Sequence, residues 1–164
     1  MISHNKGELQ PEIYLLLHNI RSTHNVGAIF RTADATGVKK IYISGFTPAP
    51  IDRFGRARQD ISKASLGAEK TIAWEKIDSA ADLIKNLKKE KVTILGLEQD
   101  KTSIDFRDVK ISSKNLLILG SEVEGIATEI LKLCDQILEI PMHGQKESLN
   151  VSVATGIILY ELIK

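Results

Sequence analysis

Residues 115–126 read NLLILGSEVEGI. From Leu116 to Leu119, four apolar side chains follow one another without the polar alternation of a half-exposed strand. A strand of that kind is covered on both faces, and sheets covered on both faces are characteristically parallel, with helices above and below. The run stops at Gly120, and two acids, Glu122 and Glu124, follow before the next helical pattern opens.

The same pattern repeats on either side. Further strand candidates are IYLLLH (13–18), KIYIS (40–44), TIAW (71–74), KVTILGLE (91–98) and QILEIP (136–141). Helical patterns fall at 26–36, 59–66, 78–90, 125–134 and 150–163. Strands separated by helices predict the α/β class, a parallel sheet flanked by helices. Gly37 is placed to end the first helix, and Asp78 to cap the one after TIAW. Residues 45–59, GFTPAPIDRFGRARQ, hold two prolines, two glycines and three arginines and predict a long surface loop, the kind that usually serves function. Residues 1–12, polar with Gly7 and Pro11, predict a loose arm ahead of a single domain spanning 13–164.

Composition narrows the chemistry. A chain of 164 residues suits one core. Its net charge of +1 offers no global attraction to nucleic acid, so any such contact must come from a local basic patch. The single cysteine, Cys134, excludes an internal disulfide, fits a reducing compartment, and between Leu133 and Asp135 reads as a small core residue. No apolar run approaches the roughly 18 residues of a membrane span, and the polar N-terminus lacks a signal peptide, so the expected location is cytoplasmic. There is no G-x-x-x-x-G-K-[ST], no G-x-G-x-x-G after the first strand and no G-x-S-x-G elbow. His4, His18, His24 and His143 are scattered without companions at ligand spacing, so no metal is expected.

Three clusters follow strand ends. In NIRSTHNVGAIFRTADATG (19–37), Asn25 is placed to cap a helix and Gly27 lets another backbone or a ligand come close. Arg31 either receives a phosphate on its planar fork or pairs with Asp34 or Asp60. In LLILGSEVEGI, Gly120 permits a ligand to approach the backbone, while the acids taken alone merely favour the following helix dipole. In PMHGQKESLNVSVATGIILYEL (141–162), Asn150 or Ser148 can cap the last helix, whose apolar arc is wider than one core face requires. Ligands of open α/β sheets bind at the carboxyl ends of strands. The clusters therefore suit a ligand held largely by backbone groups beside an anion held by Arg31.

N-V-G-A-I-F-R-T-A-D-A-T-G, L-G-S-E-V-E-G-I and I-P-M-H-G-Q-K-E-S-L-N-V-S-V-A-T-G-I-I-L-Y-E resemble, in order and spacing, the three motifs of the SpoU (TrmH-like) group of SPOUT RNA methyltransferases. The resemblance runs from about residue 13 to the C-terminus. It implies methyl transfer from S-adenosylmethionine, leaving S-adenosylhomocysteine, to a ribose 2'-hydroxyl of tRNA or rRNA. It also implies a C-terminal trefoil knot, and a homodimer whose two chains build the active sites together. Asn25, Arg31, Glu122, Ser148 and Asn150 match the family's catalytic positions, with Glu124 recurring in some relatives. Gly120, Ile140 and Leu149 match backbones that hold the cofactor's adenosine part, and Leu97 matches a wall residue.

A guanidinium is a reluctant base, because its pKa above about 12 must fall several units. Arg31 is therefore expected to position the phosphate while a water or Asn150 passes the proton on. Arg21, Arg31, Arg53, Arg56, Arg58 and Lys63 are the expected RNA contacts, and Phe54 is the one stacking ring noted among them. Recognition of RNA shape is accordingly favoured over single-strand stacking. The alternatives are a non-catalytic RNA-binding relative and a small-molecule enzyme using the same crevice.

Overall fold

The computed structural model describes residues 9–164, so most of the arm expected over 1–12 lies outside the described residues. In chain order the elements are β1 (Glu12–His18), α1 (Thr23–Thr36), β2 (Lys40–Ser44), α2 (Gln59–Ser65), α3 (Ala68–Thr71), β3 (Ala73–Lys76) and α4 (Ala80–Lys89). There follow β4 (Thr93–Leu97), β5 (Ile104–Asp105), a 3-10 turn (Phe106–Asp108), β6 (Lys114–Leu119), α5 (Thr128–Leu131), β7 (Gln136–Glu139) and α6 (Val151–Leu162). The strands form one sheet ordered β3-β2-β1-β6-β4-β7-β5, and every pairing is parallel.

The two-face burial read from Leu116–Leu119 is realised residue by residue. Leu117 and Leu119, with Leu15 and Leu17 of β1, pack on one face against Ile29 and Phe30 of α1 and Ile158 and Leu159 of α6. Leu116 and Ile118, with Leu16, pack on the other against Ile84 and Leu87 of α4 and Ile130 of α5. Each such side chain contributes about 1.5–3 kcal/mol by leaving water.

Several boundaries differ from the expected ones. Ser22, rather than Asn25, caps α1, its hydroxyl accepting from the Asn25 N–H at 3.1 Å, so the helix begins three residues early. Ser79 rather than Asp78 caps α4 in the same way. The strand expected over 71–74 is shifted by two residues: Thr71 ends α3, the Ile72 N–H still bonds the Ala68 carbonyl, and β3 runs from Ala73 to Lys76. The helix expected over 125–134 shrinks to four residues, because Ser121 and Gly125 bond each other's backbones and turn the chain sharply first. Strand β5 was not anticipated; two residues followed by a charged turn carry no apolar run. Gly37 does end α1, in the left-handed conformation at φ 74°, where the chain reverses toward β2.

The carboxyl ends of β4, β6 and β7 stop shorter than their apolar runs. Gly120, Ile140 and Pro141 lie past the last residues of β6 and β7, while Glu98, just past β4, keeps one tie to the sheet through its N–H, which donates to the Leu138 carbonyl at 3.0 Å. Since β6, β4 and β7 are adjacent, these loose ends converge at one edge.

Gly27 packs α1 onto α2, and a Cβ there would stand 2.6 Å from both Ala64 Cβ and the Ile61 carbonyl oxygen. Gly27→Ala would gain about 1 kcal/mol in helix propensity. Overpacking against backbone costs about 1–3 kcal/mol. The variant should therefore be destabilised, seen as a lower urea midpoint with an unchanged slope.

Candidate functional site

The converging ends enclose a cavity of about 470 Å³. Its wall includes Leu97 and Glu98 at the end of β4, Gly120 to Val123 after β6, Glu139 and Ile140 at the end of β7, and Ser148 to Val151 at the start of α6. Thus Leu97, Gly120, Glu122, Ile140, Ser148, Leu149 and Asn150, chosen from the sequence, share one cavity.

Asn25 joins them by hydrogen bonding. Its amide nitrogen donates to Glu122 Oε1 at 3.0 Å, and its Oδ1 accepts from Asn150 Nδ2 at 3.1 Å. Asn150 Oδ1 in turn accepts from Ser152 N at 2.8 Å, Ser152 Oγ at 2.6 Å and Val153 N at 3.4 Å, capping α6. Glu122 also accepts from the Arg21 N–H at 3.0 Å and the Ser22 N–H at 3.2 Å. Because an ionised carboxylate only accepts, the order of donors and acceptors is set from Glu122 through Asn25 to Asn150. Asn25 is thus a buried link between two segments rather than a cap. Glu124 is exposed, its backbone N–H donating to Ser121 Oγ, so Glu122 is the acid joined to this network.

Burial opposes ionisation of Glu122, but the Arg21 N–H, the Asn25 amide and the Ser22 N–H outweigh it and hold its pKa below the ordinary 4.5. Burial lowers the pKa of His18, whose Nδ1 lies 2.7 Å from Ser44 Oγ. Burial also pushes the Cys134 thiol up to about 11, which agrees with an unreactive packing role.

Gly120 meets a different neighbour from the one anticipated. A Cβ there would lie 2.5 Å from the Gly125 carbonyl carbon, so its smallness chiefly serves the return of its own loop. Gly125 has φ 67°, and the Glu98 carboxylate fills the space beside it while accepting from Ile126 N at 2.8 Å.

Among the described residues, the cavity wall carries three carboxylates, Glu98, Glu122 and Glu139, and no lysine, arginine or histidine. Their partners are neutral donors: the Ile126 and Gln99 N–H groups for Glu98, the Ser103 hydroxyl for Glu139, and the groups above for Glu122. The pocket is net negative and suits a cationic ligand.

Arg31 stands apart from the cavity. It is exposed and, among the described residues, makes no ion pair; Asp34 accepts instead from Thr71, and Asp60 lies 3.7 Å from Arg58. At about 100° per residue it lies about 120° around α1 from Asn25. The loop arginines divide. Arg58 is half-buried at the loop base, and Arg56 bonds Asp52 at 3.0 Å. Arg53 and Arg56 both lie over Phe54, 4.8 and 5.0 Å from its centroid. Arg21 lies 5.3 Å from the centroid of Phe46, a ring that sequence reasoning passed over.

A parallel α/β domain whose ligand cavity is walled by three strand ends and a helix start defines the class. A family model, the SpoU rRNA Methylase family, matches residues 12–160, and the chain belongs to that family. It is 34% identical over 152 residues, 93% of this chain and 69% of the relative, to the tRNA (guanosine(18)-2'-O)-methyltransferase of Aquifex aeolicus. It is 32% identical over 154 residues, 94% of this chain and 60% of the relative, to the 23S rRNA (guanosine-2'-O-)-methyltransferase RlmB of Bordetella pertussis. Among solved structures it resembles the A. aeolicus TrmH/SpoU tRNA modifying enzyme, with TM-score 0.80, 32% identity and coverage of 94% and 76% of the two chains. It also resembles an AdoMet-bound rRNA methyltransferase from Sinorhizobium meliloti, with TM-score 0.83, 29% identity and coverage of 93% and 56%. The chain spans 60–69% of the length of these two curated relatives.

Glu122→Gln keeps the size of the side chain but turns one acceptor into a donor facing N–H groups. A depressed carboxylate pKa contributes stability that is full above pH 4.5 and is lost as pH falls through the lower folded-state value. The wild type should therefore lose stability as pH falls below that point more steeply than the glutamine variant. Near neutrality the variant should be weaker by about 1 kcal/mol. Urea midpoints measured across the acid range check both signs.

Proposed function

We propose that the chain transfers a methyl group from S-adenosylmethionine to a ribose 2'-hydroxyl of tRNA or rRNA. The observation that carries this reading is the acidic, backbone-rimmed cavity joined to the Glu122–Asn25–Asn150 chain, in a member of a family whose relatives bear such names. In the transfer a ribose oxygen forms a bond to the methyl carbon as the carbon–sulfur bond breaks. The sulfonium becomes a neutral thioether and the hydroxyl proton leaves. A negative cavity favours the sulfonium over that thioether.

Leu97, Gly120, Ile140 and Leu149 would border the adenosine part, and Ser148 and Asn150, on the same wall, would border the reacting groups. Asn150 Oδ1 already accepts three hydrogen bonds and its amide nitrogen donates to Asn25, so it is a poor proton acceptor. A water beside the Ser148 hydroxyl takes that part better. Purified chain supplied with methyl-labelled donor and total cellular RNA should yield labelled 2'-O-methyl nucleosides. Labelling of no RNA, with donor still bound, would instead favour the non-catalytic relative.

The chain is further proposed to act as a homodimer. On α6 the side chains of Val153, Ile157 and Tyr160 are 52%, 37% and 59% exposed and form one stripe at helical spacing, an apolar surface that favours a partner. Gly156 sets this helix against Thr32 of α1, and Arg31 opens to solvent on that same helix. Pairing there would carry Arg31 of one protomer toward the cavity of its partner, to hold the substrate phosphate. Mixing inactive Arg31→Ala and Asn150→Ala chains tests it: one site of each mixed dimer would have both residues, restoring on the order of a quarter of wild-type activity. If both residues served the same chain's site, mixing would restore nothing.

The trefoil knot is proposed on the same footing. It is supported by the bond from Gln99 Nε2 to the Glu147 carbonyl at 2.7 Å, which sets the loop before α6 beside the end of β4. Pulled from both termini, a knotted chain should stop short of its full contour length, whereas an unthreaded one should reach it.

A further inference from the structure

Loop 45–47 is held with unusual care for a segment that displays an apolar ring to solvent. Asn19 is left-handed at φ 58°, and its Oδ1 accepts from the Phe46 N–H at 3.2 Å. The Asn19 amide fills the space that a side chain at Gly45 would need, and Gly45 itself has φ 63°. Thr47 is fully buried, its hydroxyl accepting from Ile20 N at 3.0 Å and donating to the Leu17 carbonyl at 3.1 Å. Lys76 reaches the Thr47 carbonyl at 3.4 Å.

The result is a fixed Phe46, 51% exposed, with the Arg21 guanidinium over its ring. Arg21 is also the residue whose N–H holds Glu122, so this ring flanks the candidate catalytic network. A cation-backed ring beside such a site fits a nucleobase, because every base has a flat face to stack and its phosphate is drawn by the arginine. A base inside a duplex has no free face to offer.

We propose that Phe46, backed by Arg21, is a stacking platform for an unpaired nucleotide of the RNA substrate at or next to the methylated ribose. Phe54 is the natural comparison, since it shares the basic surroundings but its ring already carries two guanidiniums. The platform makes single-stranded character, rather than helical shape alone, a requirement of recognition.

The proposal rests on the RNA reading above, and the experiment separates the two. The full chain with S-adenosylmethionine is titrated into a short single-stranded RNA carrying 2-aminopurine, and into the same strand annealed to its complement. The single strand should bind more tightly than the duplex, with quenching of the fluorescent base. Phe46→Ala should weaken single-strand binding by about 5- to 150-fold and abolish the quench, while Phe46→Trp retains both and Phe54→Ala keeps the quench. Donor affinity unchanged in Phe46→Ala would show that the cavity is intact. Failure of the wild type to bind either RNA would overturn the RNA reading and the platform with it. Binding without quenching, or equal quenching in Phe46→Ala, would overturn the platform alone.

Discussion

The hydrogen-bond chain from Glu122 through Asn25 to Asn150 ties together three segments whose members are 97 and 125 residues apart in sequence. Each link has one sense only. The carboxylate accepts, which turns the Asn25 amide nitrogen toward it; the Asn25 oxygen then faces Asn150, and the Asn150 oxygen is left to cap α6. The Asn25 amide, which is buried, cannot flip without breaking two bonds at once, and leaving it unsatisfied would cost about 1–3 kcal/mol. The starts of α1 and α6 are thereby fixed against the loop after β6 before any ligand arrives. Preorganisation of that kind is what methyl transfer demands, since alignment of two poor reactants is the largest contribution a site without strong acids or bases can make.

A net charge of +1 conceals a division of charge within the molecule. Carboxylates line the cavity, while Arg21, Arg31, Arg53 and Arg56 are exposed to solvent and form no part of its wall. A cationic donor and a polyanionic acceptor need opposite surroundings. The proposed transfer would find them on separate surfaces that share Arg21, whose backbone serves Glu122 and whose side chain lies over Phe46.

The apolar strands were legible because burial on both faces leaves a mark in the sequence that no loop imitates. Leu15 to Leu17 and Leu116 to Leu119 show it. Where those strands end was not legible: Ile140 is as apolar as Leu138, and only the last partners, Leu97 on β4 and Asp105 on β5, decide that pairing has stopped. The cavity residues were reached through family motifs, which name positions but not partners. Asn25 near a helix start reads as a cap, and nothing local announces an acid at position 122. Phe46 was missed for a related reason. In the sequence it is one ring in a proline-rich loop, and the arginine over it lies 25 positions earlier, across a strand end.

The bonds around Asn150 also bear on where the proton goes. A base in the proposed transfer must present a free lone pair toward the incoming hydroxyl. Among the polar side chains here, Glu122 has its oxygens turned to N–H donors, and Asn150 spends its oxygen on α6. Arg31 carries no lone pair while charged. Glu98 and Glu139, also on the wall, accept from the Ile126 and Gln99 N–H groups and from the Ser103 hydroxyl, and the exposed rim at Ser148 is where solvent reaches the site beside Asn150. Such an arrangement trades a strong base for strict placement. Its rate would then depend more on how well the nucleotide is seated than on any single titrating group.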